Sequence, residues 1–311
     1  MRIVFMGTPE FAVPALEGLA GSGYEIAAVY TQPDREAGRG RAIEETRVKK
    51  AALKLGLPVL QPVNFKSTET KTQLAELKPD AIIVAAFGQI LPPSVLAIPP
   101  FGCINIHPSL LPKYRGVAPV PAAILNGDEF TGVSIMLLDK GVDTGPVLSV
   151  EKVPILPHDT AGTLMEKLSN IGAQLLLAAL PKWFKKEIEP RPQNSADASY
   201  TRMMTKEAGF IDWNLPAVEI WRQVRAYQPW PGCYTRWQGK QLKIMEAVPL
   251  AGLTANAPGL VVAVKQGLAG FGVNCGDGVL GVVKVQLEGK KVVTAEEFVR
   301  GQQKIIGAVL G

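Results

Sequence analysis

The sequence predicts an α/β fold with a mostly parallel sheet, followed by a small, separate β-barrel. Three observations predict it. Over residues 1–189 short apolar runs alternate with helical stretches, the pattern of parallel strands covered by helices on both faces. Residues 190–208 are polar, proline-rich and non-periodic, as a linker would be. Beyond them come short strands with glycine-rich turns, which suit a small barrel of the OB type. The first domain is thus expected to be Rossmann-like over 1–189, the linker to span 190–208, and the OB-like domain to span 209–311.

The elements follow in order. Strands are expected at Ile3–Met6, Ile26–Tyr30, Pro58–Leu60, Ala81–Ala86 and Cys103–His107. Helices are expected at Pro9–Ala20, Glu44–Leu55 and Ser67–Leu77. Val133–Leu138 and Pro146–Val153 flank a loop containing glycine and aspartate and read as an antiparallel pair. A long helix from Thr160 to about Lys186 closes the domain. After the linker, Asn214 is placed to cap a helix whose apolar stripe is Ile220, Val224 and Tyr227. Strands around Tyr234–Trp237, Gln241–Ala247, Leu260–Val264, Phe271–Asn274 and Gly278–Val285 make up the barrel. Thr294 and Glu297 form a capping box for a last short helix.

Composition narrows the function. The chain has 311 residues, 47% of them hydrophobic and 20% charged, a globular balance. No apolar run approaches the ~20 residues of a membrane helix, and the N-terminus lacks signal-peptide architecture. Three scattered cysteines exclude a disulfide framework. A cytoplasmic protein is expected. The charge is uneven: residues 1–189 hold 19 basic and 19 acidic residues, whereas 190–311 hold 14 and 9. The whole excess of +5 therefore lies in the second part, as it would in a unit that meets a polyanion. No His/Cys cluster has metal-ligand spacing, so no metal is expected.

The chemistry centres on one of the two histidines. Side chains two apart on a strand share a face, so Asn105 and His107 point the same way while Ile104 and Ile106 point into packing. Pro108 cannot donate a ladder hydrogen bond and keeps His107 extended. The strand ends at the imidazole, and sites in open α/β sheets lie at strand ends. Asp143 follows 36 residues later in the run Asp139–Pro146. An Asn donates a neutral hydrogen bond to a developing oxyanion, a His adds a charged donor or a proton, and an Asp holds the imidazole. With no Ser or Cys nucleophile beside them, this set suits direct acyl transfer between amines through a tetrahedral intermediate.

Asn105–Gly116, reading Asn-Ile-His-Pro-Ser-Leu-Leu-Pro-Lys-Tyr-Arg-Gly, together with Asp139–Gly145 resembles the folate-dependent formyltransferases. The segments Gly7–Phe11, Thr31–Arg35 with Gly38-Arg39-Gly40, Phe87–Pro92, Ile211–Trp213 and Arg225–Gly232 extend the resemblance nearly end to end, towards the methionyl-tRNA formyltransferase family. The resemblance implies 10-formyltetrahydrofolate as donor and the α-amino group of methionyl initiator tRNA as acceptor. It implies Asn105, His107 and Asp143 as catalytic residues. It places the folate against Phe87, Gly88, Gln89, Ile90 and Leu91, and against Ser109, Leu110, Leu111 and Pro112. It implies that the basic loop within 32–50 meets the tRNA acceptor arm through Arg35, Arg39 and Arg41, Arg39 matching the family's most important arginine, and that the protein is a monomer.

Rival readings stand beside this one. A formyltransferase acting on a nucleotide-linked amino sugar can share the trio and a C-terminal barrel, although the basic tail and the arginine loop count against it. Hydrolysis of the formylfolate, with water as acceptor, is another. Gly7-Thr8-Pro9 is shaped like a phosphate-binding turn, but no GxGxxG follows the first strand, which disfavours a dinucleotide. His158 reads as a residue at a helix start, with Asp159 or Thr160 as the cap. Trp213, Trp221, Trp230 and Trp237 read as packing residues.

Overall fold

The computed structural model describes residues 1–37, 42–251, 253, 257–264 and 267–311. By contact density it divides into two units, one of residues 1–119, 130–154 and 165–201, the other of 120–129, 155–164 and 202–311.

The first unit is organised around β1 (Arg2–Gly7), whose Ile3, Val4, Phe5 and Met6 have no exposed surface. Side chains buried on both faces of a strand mark the middle of a covered parallel sheet. The chain goes on through α1 (Val13–Ala20), β2 (Glu25–Tyr30), a hairpin of β3 (Arg35–Ala37) and β4 (Ala42–Glu44), and α2 (Arg47–Lys54). It continues with β5 (Val59–Leu60), α3 (Thr68–Glu76), β6 (Ala81–Ala85), α4 (Pro93–Leu96) and β7 (Cys103–His107). Then come β8 (Arg115–Gly116), β9 (Phe130–Leu137), β10 (Val147–Pro154), α6 (Ala161–Phe184) and β11 (Tyr200–Thr201), while α5 (Pro119–Asn126), between β8 and β9 in the chain, belongs almost wholly to the second unit.

The main sheet runs β10-β9-β7-β6-β1-β2-β5. From β5 to β7 every neighbouring pair is parallel, and β9 is antiparallel to both β7 and β10. The chain leaves β1 on one side and returns as β6 on the other, so the strand order reverses beside the C-terminal ends of β1 and β6. Crevices at such switch points are where doubly wound sheets place their sites. Here the Thr8 hydroxyl donates to the Phe87 carbonyl at 2.8 Å, so the turn that resembled a phosphate loop is engaged in holding the β6 end.

Helix starts follow their caps. Thr46 accepts from the Lys49 amide and Ser67 from the Thr70 amide, each at 3.1 Å. Thr160 caps α6 by accepting from the Thr163 amide at 3.2 Å. Asp159 instead accepts from the Leu156 amide at 2.7 Å, and His158 is exposed.

Residues 190–208 were expected to form a linker. Their first part is instead hydrogen-bonded into the first unit. Arg191 exchanges backbone bonds with Val147, and Tyr200 and Thr201 pair in parallel with Arg115 and Gly116. The segment is polar because its partners are polar: it satisfies loop backbone rather than burying apolar surface.

The second unit contains α7 (Ala217–Ala226) and an antiparallel sheet of β12 (Cys233–Trp237), β13 (Lys240–Leu250), β14 (Val261–Val262), β15 (Phe271–Asn274), β16 (Val279–Leu287) and β17 (Val293–Thr294). The order is β12-β13-β16-β15-β14, with β17 on β16. This is the curled OB-like sheet. Its register shifts on β13 at Ile244–Ala247, where bulges bend the strand. Trp237 is buried edge-on to Phe298, their centroids 5.5 Å apart, and α8 (Ala295–Gly301) opens on the expected capping box.

Two expectations need correction here. Asn214 does not cap α7: Pro216 stands at the cap, and the Asn214 amide donates to Asp212 at 2.8 Å. The helix start is tied down instead by the Ala217 amide donating to the Asp277 carbonyl. Trp230 leaves 53% of its surface to solvent, so its ring does not serve the packing expected of it. Trp213 is buried and donates to Thr235, whereas Trp221 lies half-buried under the Arg225 guanidinium, 3.9 Å from its ring centre.

Cys103, Cys233 and Cys275 are all buried. Burial pushes the thiols of Cys103 and Cys233 up to about 12 and that of Cys275 to about 11. A raised thiol is protonated at pH 8, and only thiolate reacts. The folded protein is therefore predicted to react with a thiol reagent at pH 8 at least ~10²-fold more slowly than the urea-unfolded chain. Comparable rates would contradict the burial.

Candidate active site

β7 carries Asn105 and His107 to the sheet's interior, where they are 9% and 4% exposed. β7 is paired on both sides, with Val84 of β6 and Met136 of β9 flanking Asn105 and Ser134 of β9 opposite His107. Both backbones are therefore fixed by ladder bonds. Among the described residues nothing hydrogen-bonds the Asn105 amide. A buried amide normally has partners, so its two donors are left available on the strand face it shares with His107.

The imidazole is held from two sides. Its Nε2 lies 3.0 Å from the Tyr114 carbonyl oxygen. A carbonyl only accepts, so Nε2 carries a proton and donates it there. Nδ1 faces the Asp143 carboxylate at 3.7 Å, longer than a hydrogen bond but within ion-pairing range. The orienting partner of His107 is therefore first a backbone carbonyl and only second the aspartate. Sequence reasoning missed it, because a main-chain oxygen leaves no signature in residue type.

Asp143 adopts φ +52°, a left-handed conformation that costs a non-glycine residue roughly 1–2 kcal/mol. Its surroundings hold it there. Its Oδ2 accepts from the Gly116 amide at 2.8 Å, and its own carbonyl accepts from Gln193 Nε2 at 2.9 Å. The loop around it is closed by Asp139, whose Oδ1 accepts from the Gly141 amide and the Thr144 hydroxyl at 2.9 and 2.6 Å. Two glycines are required by space. A Cβ on Gly145 would sit 1.9 Å from the Leu137 carbonyl oxygen, and Gly116 has φ +102° with the Thr201 carbonyl 3.0 Å from its ideal Cβ.

Arg115, 2% exposed, lies beneath this loop. Its Nε and Nη2 donate to Gln193 Oε1 at 3.1 and 2.9 Å, and Nη1 donates to the Tyr200 hydroxyl at 2.9 Å. Hydrogen bonds to a charged group are worth about 1.5–3 kcal/mol each, which offsets part of the cost of burying the guanidinium.

The residues expected to meet a folate divide into two sets. Phe87, Leu91 and Ser109 turn their side chains into the protein: Phe87 and Leu91 belong to the core with Tyr30 and Phe65, and Ser109 donates to the Lys113 carbonyl at 2.7 Å. Gln89 donates to the Pro62 and Val63 carbonyls. Ile90 is 89% exposed, Gly88 is exposed at φ +84°, and Leu110, Leu111 and Pro112 are half-buried. The Leu111–Pro112 bond is cis. Contact with a ligand would therefore come from backbone and from Ile90, Leu110 and Leu111.

Of the loop arginines, Arg35 is exposed and donates to Gln32 at 3.2 Å. Arg39 and Arg41 lie outside the described residues. The base of the hairpin is anchored by Lys49, which pairs with Asp34 and, at 3.2 Å, with Glu45. Gln61 donates to the other Asp34 oxygen at 2.7 Å. The hydrogen bond from Lys49, then that from Gln61, holds the Asp34 carboxyl below the usual carboxylate range, and the bond to Asp34 holds the Lys49 ammonium above its usual value. No group of three or more His, Cys, Asp or Glu is placed to hold a metal among the described residues.

The sequence is related to known proteins along nearly its whole length. Residues 1–180 match the family model described as formyl transferase, and residues 203–303 match that of the formyl transferase C-terminal domain. The chain is 47% identical to a methionyl-tRNA formyltransferase of Roseiflexus sp. (strain RS-1), over all of this chain and 95% of the relative. It is 49% identical to one of the same name from Dehalococcoides mccartyi (strain CBDB1), over 100% of this chain and 99% of the relative. The chain belongs to the methionyl-tRNA formyltransferase family. It is therefore a formyltransferase, as the resemblance implied.

Solved structures share the family's fold at lower identity. WlaRD, a sugar 3N-formyl transferase crystallised with dTDP and 5-N-formyl-THF, superposes with TM-score 0.68 at 20% identity, over 94% of this chain and 99% of that one. HypX from Aquifex aeolicus in complex with tetrahydrofolic acid gives 0.65 at 18%, over 98% of this chain and 48% of HypX. The chain thus spans about half the length of HypX. No described helix is long and apolar enough to cross a membrane.

A raised ammonium supplies less free amine at a given pH, so Lys49 is predicted to acylate more slowly than exposed lysines at pH 8. Asp34→Asn should raise its labelling rate several-fold, read by peptide mass spectrometry. Equal labelling in both proteins would contradict the anchor.

Proposed function

We propose that the chain transfers the formyl group of 10-formyltetrahydrofolate to the α-amino group of methionyl initiator tRNA. The observation that carries this reading is end-to-end identity of 47–49% with enzymes bearing that activity as their name. The site supports it: an unpartnered Asn amide shares a strand face with an imidazole held next to a carboxylate, and none of these groups is a covalent nucleophile.

The reaction follows from these groups. The neutral amine attacks the formyl carbon, forming a C–N bond and an oxyanion. The Asn105 amide donates to that oxyanion, and a proton on His107 Nδ1 adds positive charge beside it. Asp143 takes the proton that the attacking nitrogen sheds, directly or through water, and that proton is passed on to N10 of the folate as its bond to the formyl carbon breaks and the oxyanion collapses to the new formyl carbonyl. Formyl-methionyl-tRNA and tetrahydrofolate leave.

We assign the catalytic role to residues 1–189. The folate is placed against the backbone of Phe87–Leu91 and of Ser109–Pro112, with Ile90, Leu110 and Leu111 supplying apolar contact. Arg35, Arg39 and Arg41 are assigned to the acceptor arm, together with the basic residues of 209–311. On this reading the protein works as a monomer, in the cytoplasm, without a metal.

The test is formyl transfer from 10-formyltetrahydrofolate to methionyl initiator tRNA, with a nucleotide-linked amino sugar and buffer alone as parallel acceptors. Formyl-methionyl-tRNA is expected. Formylation of the sugar alone, or release of tetrahydrofolate without an acceptor, would overturn the reading. Asn105→Ala, His107→Ala and Asp143→Ala are each predicted to lower kcat by roughly 10²–10³, and the losses should not add. Near-wild-type turnover in any of them removes that residue's role. Three arginine–phosphate contacts also predict a loss of roughly 20- to 40-fold in tRNA affinity between about 50 and about 200 mM salt, and a flat dependence would contradict them.

A further inference from the structure

Gln193 lies in the segment whose composition reads as a linker, yet it uses every hydrogen-bonding position it has. An amide offers two N–H donors and an oxygen with two lone pairs. Gln193 Nε2 donates to the carbonyls of Asp143 and Gly145 at 2.9 and 2.7 Å. Its Oε1 accepts from Nε and Nη2 of Arg115 at 3.1 and 2.9 Å. The side chain therefore clamps the two carbonyls on either side of Thr144, within the turn where Asp143 takes its left-handed conformation. A guanidinium has donors only, so Arg115 dictates that the amide oxygen faces it and that the NH₂ faces the turn.

We propose that Gln193 is a positioning residue for formyl transfer: it holds the Asp143–Gly145 turn so that the Asp143 carboxylate stays between the Gly116 amide and His107 Nδ1. This rests on the catalytic role proposed above for Asp143. The same clamp ties the segment after α6 to the site. Arg115 accordingly acts one step further out. It orients Gln193, and its third bond goes to Tyr200 on β11, the residue immediately after Ser199, whose hydroxyl accepts from the backbone of the Tyr114 that holds His107.

Gln193→Glu separates this role from simple stability. The carboxylate is nearly the same size and keeps, as an ion pair, both bonds from Arg115. It replaces the two donors with an oxygen that repels the Asp143 and Gly145 carbonyls. The variant is expected to melt within a few degrees of wild type while kcat falls at least ~10-fold, since small displacements of catalytic groups carry large rate costs. KM for methionyl-tRNA is expected to stay within about twofold, because the clamp touches no proposed tRNA contact. Gln193→Asn, which is one methylene shorter and loses reach to the turn, is the second variant should the Glu form fold poorly, and the same kcat loss is expected of it.

The decisive arm is a double-mutant cycle with Asp143→Ala. If Gln193 acts through Asp143, adding Gln193→Glu to Asp143→Ala lowers the rate by no more than about twofold further. Wild-type kcat in a folded Gln193 variant, or an undiminished loss in the Asp143→Ala background, overturns the positioning role. Wild-type kcat in Asp143→Ala alone instead overturns the catalytic reading on which this one rests, so the two failures are distinguishable.

Discussion

The hydrogen bond from His107 Nε2 to the Tyr114 carbonyl is the contact on which the site depends. It settles which ring nitrogen is committed and which is left to face the carboxylate. An imidazole on a buried strand end with either nitrogen free could take two tautomers and two ring orientations. Bonded to a carbonyl, it has one of each. The bond also demands that the chain return on itself within seven residues of β7. Tyr114 at φ +60° and Gly116 at φ +102° are the backbone record of that return. The turn in turn brings the Gly116 amide to Asp143, so one reversal of the chain orients the histidine and anchors the acid.

Such a loop is expensive to hold, because it has little apolar surface to bury and several residues in sparsely populated conformations. The segment 191–201 supplies what is missing. Ser199 bonds the Tyr114 amide through its hydroxyl and the Arg115 amide through its carbonyl. Thr201 lies against Gly116, and Gln193 bonds the Asp143–Gly145 turn. Nearly all of these bonds run from a polar side chain or backbone group to backbone. Local backbone satisfied by a strap of chain remote in sequence is a way to rigidify a site without enlarging the core.

What was legible in the sequence was what periodicity and residue type encode. The fully apolar runs of β1 and β6 announced central parallel strands, and the two-residue spacing put Asn105 and His107 on one face. Thr294 with Glu297 announced a helix start. What was not legible depends on backbone geometry. The hairpin β3–β4 and the two-residue pair β8–β11 are too short to carry a pattern. α4 and α5 each have proline near their start and are mostly apolar, so their spacing does not stand out. Asn214 was a good cap by residue type but lost the place to Pro216, since the Asp277 carbonyl already held the next amide. Phe87 and Leu91 read as pocket walls because they are apolar and near a strand end, but the same properties send them into the core. Gln193, in a stretch without periodicity, could be recognised only by its four hydrogen bonds.

The most direct test of this account is the ¹⁵N spectrum of the imidazoles in the uniformly labelled protein. With only His107 and His158 to assign, and His158 exposed, a His107→Ala sample identifies the signals without ambiguity. The account predicts that His107 Nε2 bears a hydrogen in every state observed, with slow solvent exchange, and that Asp143→Asn shifts the Nδ1 resonance far more than Nε2. A neutral His107 protonated at Nδ1 alone would contradict it, because the Tyr114 carbonyl would then face a bare nitrogen and the arrangement of the site would have to be different.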